Sequence, residues 1–171
     1  MALIVEDGTG KVDAEAYISV ADATTYHAAY GNPASWVAAS TGDKENALRV
    51  AAQYLDGKYV LRWLGTRTNE DQALDWPRAG AVDPDEWTIE DDDIPTALEQ
   101  ANAIAALKVI DGDTLLPDVT SAGTVSSESK TLGPLSKSTT YLGGKSNYTT
   151  YSLVDAVLKP LLRRSSQVSL A

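Results

Sequence analysis

Residues 95–110 read P-T-A-L-E-Q-A-N-A-I-A-A-L-K-V-I, and this run limits the fold more than any other. Pro95 suits the first turn of a helix, Glu99 follows close behind, and Asp111-Gly112 stops it. Apolar residues occupy nearly every side of the segment. A helix of that kind has no face to give to water and must be covered from more than one direction. Either its own domain covers it or neighbouring subunits do.

The segments around it are suited to that task. S-V-A-D-A-T-T-Y-H-A-A-Y-G, residues 19–31, predicts a helix with Ser19 as N-cap and Asp22 at N3. Val20, Ala23, His27 and Tyr30 form one stripe, Gly31 ends the helix and Pro33 prevents its resumption. A second helix is expected from Asp43 to Trp63, where Leu48, Ala51, Ala52, Leu55 and Tyr59 recur at helical spacing. Gly57 weakens that pattern. A short helix is expected over Glu70 to Leu74, stopped by Pro77.

Composition changes after the apolar helix. Residues 124–144, T-V-S-S-E-S-K-T-L-G-P-L-S-K-S-T-T-Y-L-G-G, alternate β-branched and polar residues. They read as a weak, exposed hairpin or extended arm with its bend at Gly133-Pro134. Such an arm buries little alone and is expected to pack on another chain. A last helix lines up Leu153, Val154, Val157, Leu158, Leu161 and Leu162, and the polar tail from Ser165 to Ala171 has no reason to fold by itself. The expected fold is therefore mainly α: a small helical bundle over residues 1–112, an extended β-hairpin or arm over 113–150, and a C-terminal helix and tail over 151–171.

A formal net charge of −10 and a pI near 4.4 repel phosphate backbones. Zero cysteines exclude disulfides, thiolate zinc sites and cysteine nucleophiles. The opening M-A-L-I-V-E-D-G lacks a basic n-region, and no stretch approaches the ~20 apolar residues of a membrane span, so neither a secretion signal nor a membrane partner is expected.

No motif for chemistry is complete. Y-L-G-G-K-S, residues 141–146, resembles the end of a phosphate loop, but Thr139 stands where that loop needs glycine. G-T-G-K at Gly8 fails likewise, with Val5 in the required place; both are expected to be turns. The acidic run D-P-D-E-W-T-I-E-D-D-D, residues 83–93, lacks the third acid and the glycine of an EF-hand loop. A solvated loop with a negative lead into the helix at Pro95 fits it better. His27, the single histidine, lies on an apolar face with no acid or serine spaced beside it, and is expected to be a satisfied core or interface residue. Trp36, Trp63, Trp76 and Trp87 with Arg49, Arg62, Arg67 and Arg78 could stack single-stranded nucleic acid, but the net charge has the wrong sign. Core and interface anchors are the preferred reading. No cofactor, metal or enzymatic activity is expected.

Several stretches recur in one order: residues 1–26, with Y-I-S-V-A-D-A; A-A-Q-Y-L-D-G-K-Y at 51–59; G-T-R-T-N-E-D-Q-A-L-D-W-P-R-A-G at 65–80; I-P-T-A-L-E-Q-A-N-A-I-A-A-L at 94–107; and S-S-E-S-K-T-L-G-P-L-S at 126–136. The ordered set resembles a family of tailed-bacteriophage head–tail connector (adaptor) proteins, whose members also carry the label DnaT-like single-stranded DNA-binding protein. The resemblance implies a helical subunit of the virion neck, made in the host bacterial cytoplasm. It would assemble as a homo-oligomeric ring, usually twelve-fold, below the portal protein, continue the DNA channel and dock tail or neck proteins. DNA would pass without specific binding, since an acidic wall lets a polyanion slide. The alternative is a single-stranded DNA-binding replication protein. Leu158, Leu161, Leu162, Arg163 and Arg164 are expected to contact the portal or a neighbouring subunit, and Arg78 to face the acidic run or a neighbour. The long Ser/Thr-rich arm and Y-L-G-G-K-S-N-Y-T-T-Y before the last helix depart from the family pattern.

Overall fold

The structure is a computed structural model that describes residues 2–116, 127–132, 135–140 and 150–163. Its helices in chain order are α1 (Val20–Ala29), α2 (Ala34–Ala38), α3 (Thr41–Tyr59), α4 (Thr96–Ile110) and α5 (Ser152–Leu158). Two short antiparallel ladders complete it: β1 (Thr66–Arg67) with β2 (Arg78–Ala79), and β3 (Ser127–Leu132) with β4 (Leu135–Thr140). The fold is mainly helical, as the sequence implies.

α4 is the centre of the core. Every residue from Ala101 to Ala106 is buried, and α1, α2, α3 and α5 all pack against it. The chain's own helices thus supply the cover that the all-round apolar pattern demands. One polar residue sits among them: Asn102 accepts from the Tyr17 backbone N–H at 3.0 Å and donates to the Leu48 carbonyl at 3.1 Å. A buried amide is tolerated because both ends are satisfied, and it holds the N-terminal segment, α3 and α4 in one register.

Helix starts obey local chemistry. Ser19 Oγ accepts from the Asp22 N–H, and Ser40 Oγ accepts from the Asp43 N–H, each at 3.1 Å. The second helix therefore begins at Thr41, ahead of the expected Asp43, and ends at Tyr59 rather than Trp63. It runs through Gly57, because the buried side chains of Tyr54, Leu55 and Tyr59 hold it on both sides of that position. α2 was not expected; it buries Trp36 beside His27, with ring centroids 4.5 Å apart. His27 Nε2–H donates to the Ala103 carbonyl at 3.2 Å, and burial holds its pKa below the ordinary value. It is a core residue. Tyr30, placed on the same stripe by spacing, is exposed.

The short helix expected over Glu70–Leu74 is absent. The Gln72 side chain takes the backbone groups a helix would use: its oxygen accepts from Asn69 N–H at 2.9 Å, and its amide donates to the Leu74 and Pro77 carbonyls at 2.8 and 3.1 Å.

By contact, Met1–Leu115 and Tyr151–Ala171 form one unit and Leu116–Thr150 another. In the second, β3 and β4 pair from Ser127↔Thr140 to Leu132↔Leu135. The expected bend at Gly133-Pro134 lies outside the described residues, as do the tail from Arg164 and the Y-L-G-G-K-S turn. In the first, α5 buries Val154 and Leu158, and a 3-10 turn, Lys159–Leu161, carries Leu161 inward. Tyr59 donates to Asp155, and Lys58 Nζ meets the same carboxylate at 2.7 Å, fastening α5 to the end of α3.

Candidate functional site

The stretch L-D-W-P-R-A closes a knot of buried polar groups between the end of α3 and the start of α4. Trp76 is fully buried, edge-on to Trp63 with centroids 6.1 Å apart, and the Trp76–Pro77 peptide is cis. Trp63 Nε1–H donates to Asp75 at 2.9 Å. The Tyr17 hydroxyl donates to Asp56 on α3 and accepts from the Asp75 and Trp76 N–H groups at 3.0 and 3.3 Å. The other Asp56 oxygen accepts from Asp75 N–H at 3.1 Å. Burial pushes the Asp56 carboxyl up to about 7 and raises Asp75 too, while it lifts the Tyr17 phenol well above its usual value.

Arg78 completes the knot, and it does so differently from expectation. Its guanidinium donates to the carbonyls of Leu64 at 2.6 Å, Asp75 at 3.0 Å and Gly65 at 3.0 Å. It is buried, and it faces this chain's own backbone rather than the acidic run. Arg163 donates to the same Gly65 carbonyl at 3.2 Å. Gly65 is at φ +64°, and a Cβ there would stand 2.5 Å from the Ala79 carbonyl oxygen, so the tight passage admits only glycine.

The N-terminal G-T-G-K stretch is a second knot. Glu6 is buried, and its carboxylate accepts from the N–H groups of Asp7, Gly8, Gly10 and Lys11 at 2.8 to 3.1 Å. This is the concave array of N–H groups that elsewhere holds phosphate, already filled by the chain's own carboxylate. The expected turn is confirmed, with an internal anion as its reason.

Of the expected contact residues, Leu158, Leu161 and Leu162 pack into this chain's own core, and Arg78 is inside the knot. Arg163 is exposed and Arg164 lies outside the described residues. The expectation that these leucines present a docking face is corrected accordingly: their side chains are already enclosed. Trp36, Trp63 and Trp76 are likewise enclosed, which leaves the 73% exposed Trp87, set among Asp83, Asp85, Glu86 and Glu90.

Two surfaces remain that spacing did not single out. At one end of α3, a groove of about 560 Å³ is lined by Ala38, Asn46, Ala47, Val50, Val109 and Ile110. At the other end, Val60 and Leu61 are exposed beside Arg62, whose carbonyl accepts from the N–H of the exposed Arg163 at 2.7 Å. Among the described residues no group of three or more His, Asp or Glu could hold a metal ion, and no helix is long and apolar enough to cross a membrane.

Residues 1–171 match the model of a family described as "Putative DnaT-like ssDNA binding protein". No curated protein matches the chain, and no solved structure does.

Proposed function

The chain belongs to this DnaT-like family over its whole length, and we propose that it is a structural, non-catalytic adaptor at the head–tail junction of a tailed bacteriophage. In this reading it forms a ring below the portal, continues the DNA channel and docks the tail. The observation that carries it is the fate of the aromatic and cationic groups. A single-strand binder needs aromatic faces beside a basic groove. Here three of the four tryptophans are enclosed, and Trp87 stands in the acidic loop. With a net charge of −10, such a surface favours passage of DNA over capture.

The second reading, a single-stranded DNA-binding replication protein, is favoured by the family description and by the neighbouring exposed cations Arg62 and Arg163. Binding of a labelled oligonucleotide across a salt series separates the two. Micromolar or tighter affinity near physiological salt, falling steeply with salt, supports the second reading and sinks an adaptor that lets DNA slide. Presence of the protein in purified virions supports the first, and its absence from them removes it.

A further inference from the structure

We propose that the Val60–Leu61 turn of one copy seats in the groove between α2, α3 and α4 of a second copy, giving a head-to-tail contact. The inference deepens the ring reading and rests on it. Both surfaces belong to the same described unit and stand at opposite ends of α3, whose 19 residues span about 28 Å. One is concave and apolar: Ala38, Ala47, Val50, Val109 and Ile110 line it, with Val37 exposed nearby and Val50 44% exposed. The other is convex and apolar: Leu61 is 85% exposed and Val60 53% exposed, at a turn just past the helix. Exposed side chains of this size grouped at one place mark a contact surface more often than scattered single ones do.

Charge assigns each surface to the other. Asp43 lines the groove, Asp111 and Asp113, both exposed, lie within three residues of Ile110, and the half-buried Lys108 precedes Val109. Lys44, the cation beside Asp43, is turned over the Trp36 ring at 5.5 Å, and Arg49 is paired with Glu15 at 3.0 Å. The projecting turn carries the opposite sign. Arg62 follows Leu61 directly, and the Arg163 N–H bonds the Arg62 carbonyl at 2.7 Å, which sets two exposed arginines beside the turn. Asp83, beside Pro160, and Asp155, already paired with Lys58 at 2.7 Å, are acids at its edge. Complementary potentials of this kind set register and suppress wrong pairings. Made head to tail, the contact leaves a knob free on one copy and a groove free on the other, whereas a reciprocal pair would close as a dimer. The head-to-tail contact propagates from copy to copy, and generates a ring where the rotation closes and a filament where it does not.

The test uses the full-length chain and two substitutions at exposed positions, Val50→Asp in the groove and Leu61→Asp on the knob. Circular dichroism verifies that each variant keeps the wild-type helix content. Sedimentation velocity then reads the assembly state. The wild type is expected to sediment as species larger than a dimer, and each variant alone as a monomer, with association weakened at least tenfold. An equimolar mixture should yield a one-to-one dimer and stop there, because the intact knob of Val50→Asp fits the intact groove of Leu61→Asp. Variants that assemble like the wild type overturn the proposal, as does a mixture that stays monomeric. A wild type that is monomeric at every concentration overturns it too, yet leaves the virion measurement free to support the head–tail location.

Discussion

Tyr17, from the N-terminal segment, donates its phenolic proton to Asp56 on α3, and the backbone of Asp75 and Trp76 closes over the pair. This couples three distant parts of the chain through one buried carboxyl, and it makes stability depend on pH. Burial holds the folded Asp56 pKa at about 7, well above the ordinary aspartate value. The folded chain therefore binds that proton more tightly than the unfolded chain does. The resulting stabilisation is full below the unfolded value and is lost as pH rises through about 7. Asp75, also raised by burial, adds to the slope, and Arg67 opposes it.

Asp56→Asn isolates the effect. Denaturant unfolding of wild type and variant at pH 5 and pH 8 should show the wild type losing ground to the variant as pH rises, by on the order of 2 kcal/mol. A stability difference that does not change with pH would rule out titration of Asp56 in this range.

Arg78 gives a second prediction. Its side chain satisfies three carbonyls, at Leu64, Gly65 and Asp75. Arg78→Ala leaves them short of donors in a buried place, at a cost of about 2 to 4 kcal/mol. Arg78→Lys should recover only part of this, since one ammonium cannot reproduce the planar fork. Urea midpoints for the three proteins decide the matter; an alanine variant within about 0.5 kcal/mol of wild type would show the contacts to be dispensable.

How far these features were legible depends on their range. α4 could be read because apolarity on all sides is a property of one short segment. The caps at Ser19 and Ser40 are local too, and the Ser-x-x-Asp pattern that marks the first also marks the second. α2 gave little signal in five residues between Pro33 and Ser40. The knots did not show in the sequence because their partners are far apart along it: Asn102 meets Tyr17 across 85 residues, and Arg163 meets Gly65 across 98. The leucines of the last helix showed that a buried face existed, but apolar spacing does not say whether the covering surface is the chain's own or a neighbour's.

The Glu6 knot predicts a local effect. Gly8 is at φ +95°, and a Cβ added there would fall 1.7 Å from the Asp92 carbonyl oxygen. Gly8→Ala must therefore displace the N-terminal loop from the acidic one. Glu6→Ala removes the acceptor shared by four N–H groups. In both variants amide exchange at residues 7–11 should quicken at least tenfold, while α4 stays protected. Unchanged exchange in that loop would show that neither feature holds it.

The C-terminal segment supplies the last prediction, and it reverses one drawn from the sequence. The expectation that Leu158, Leu161, Leu162, Arg163 and Arg164 contact the portal or a neighbouring subunit implies that removing residues 158–171 leaves a folded monomer. In the structure Leu158, Leu161 and Leu162 are buried. Leu64 N–H bonds the Leu161 carbonyl at 3.0 Å, and Leu162 bridges to Trp63. Losing three buried leucines at about 2 to 5 kcal/mol each is comparable with the whole stability of a domain this size. Truncation before Leu158 should therefore abolish cooperative unfolding. Truncation after Arg163 keeps all three leucines and the Arg163–Gly65 bond, and should leave the thermal midpoint within a few degrees of wild type. Calorimetry of the two truncated chains separates these outcomes. A cooperative transition in the shorter chain would mean that the core closes without its last helical turn.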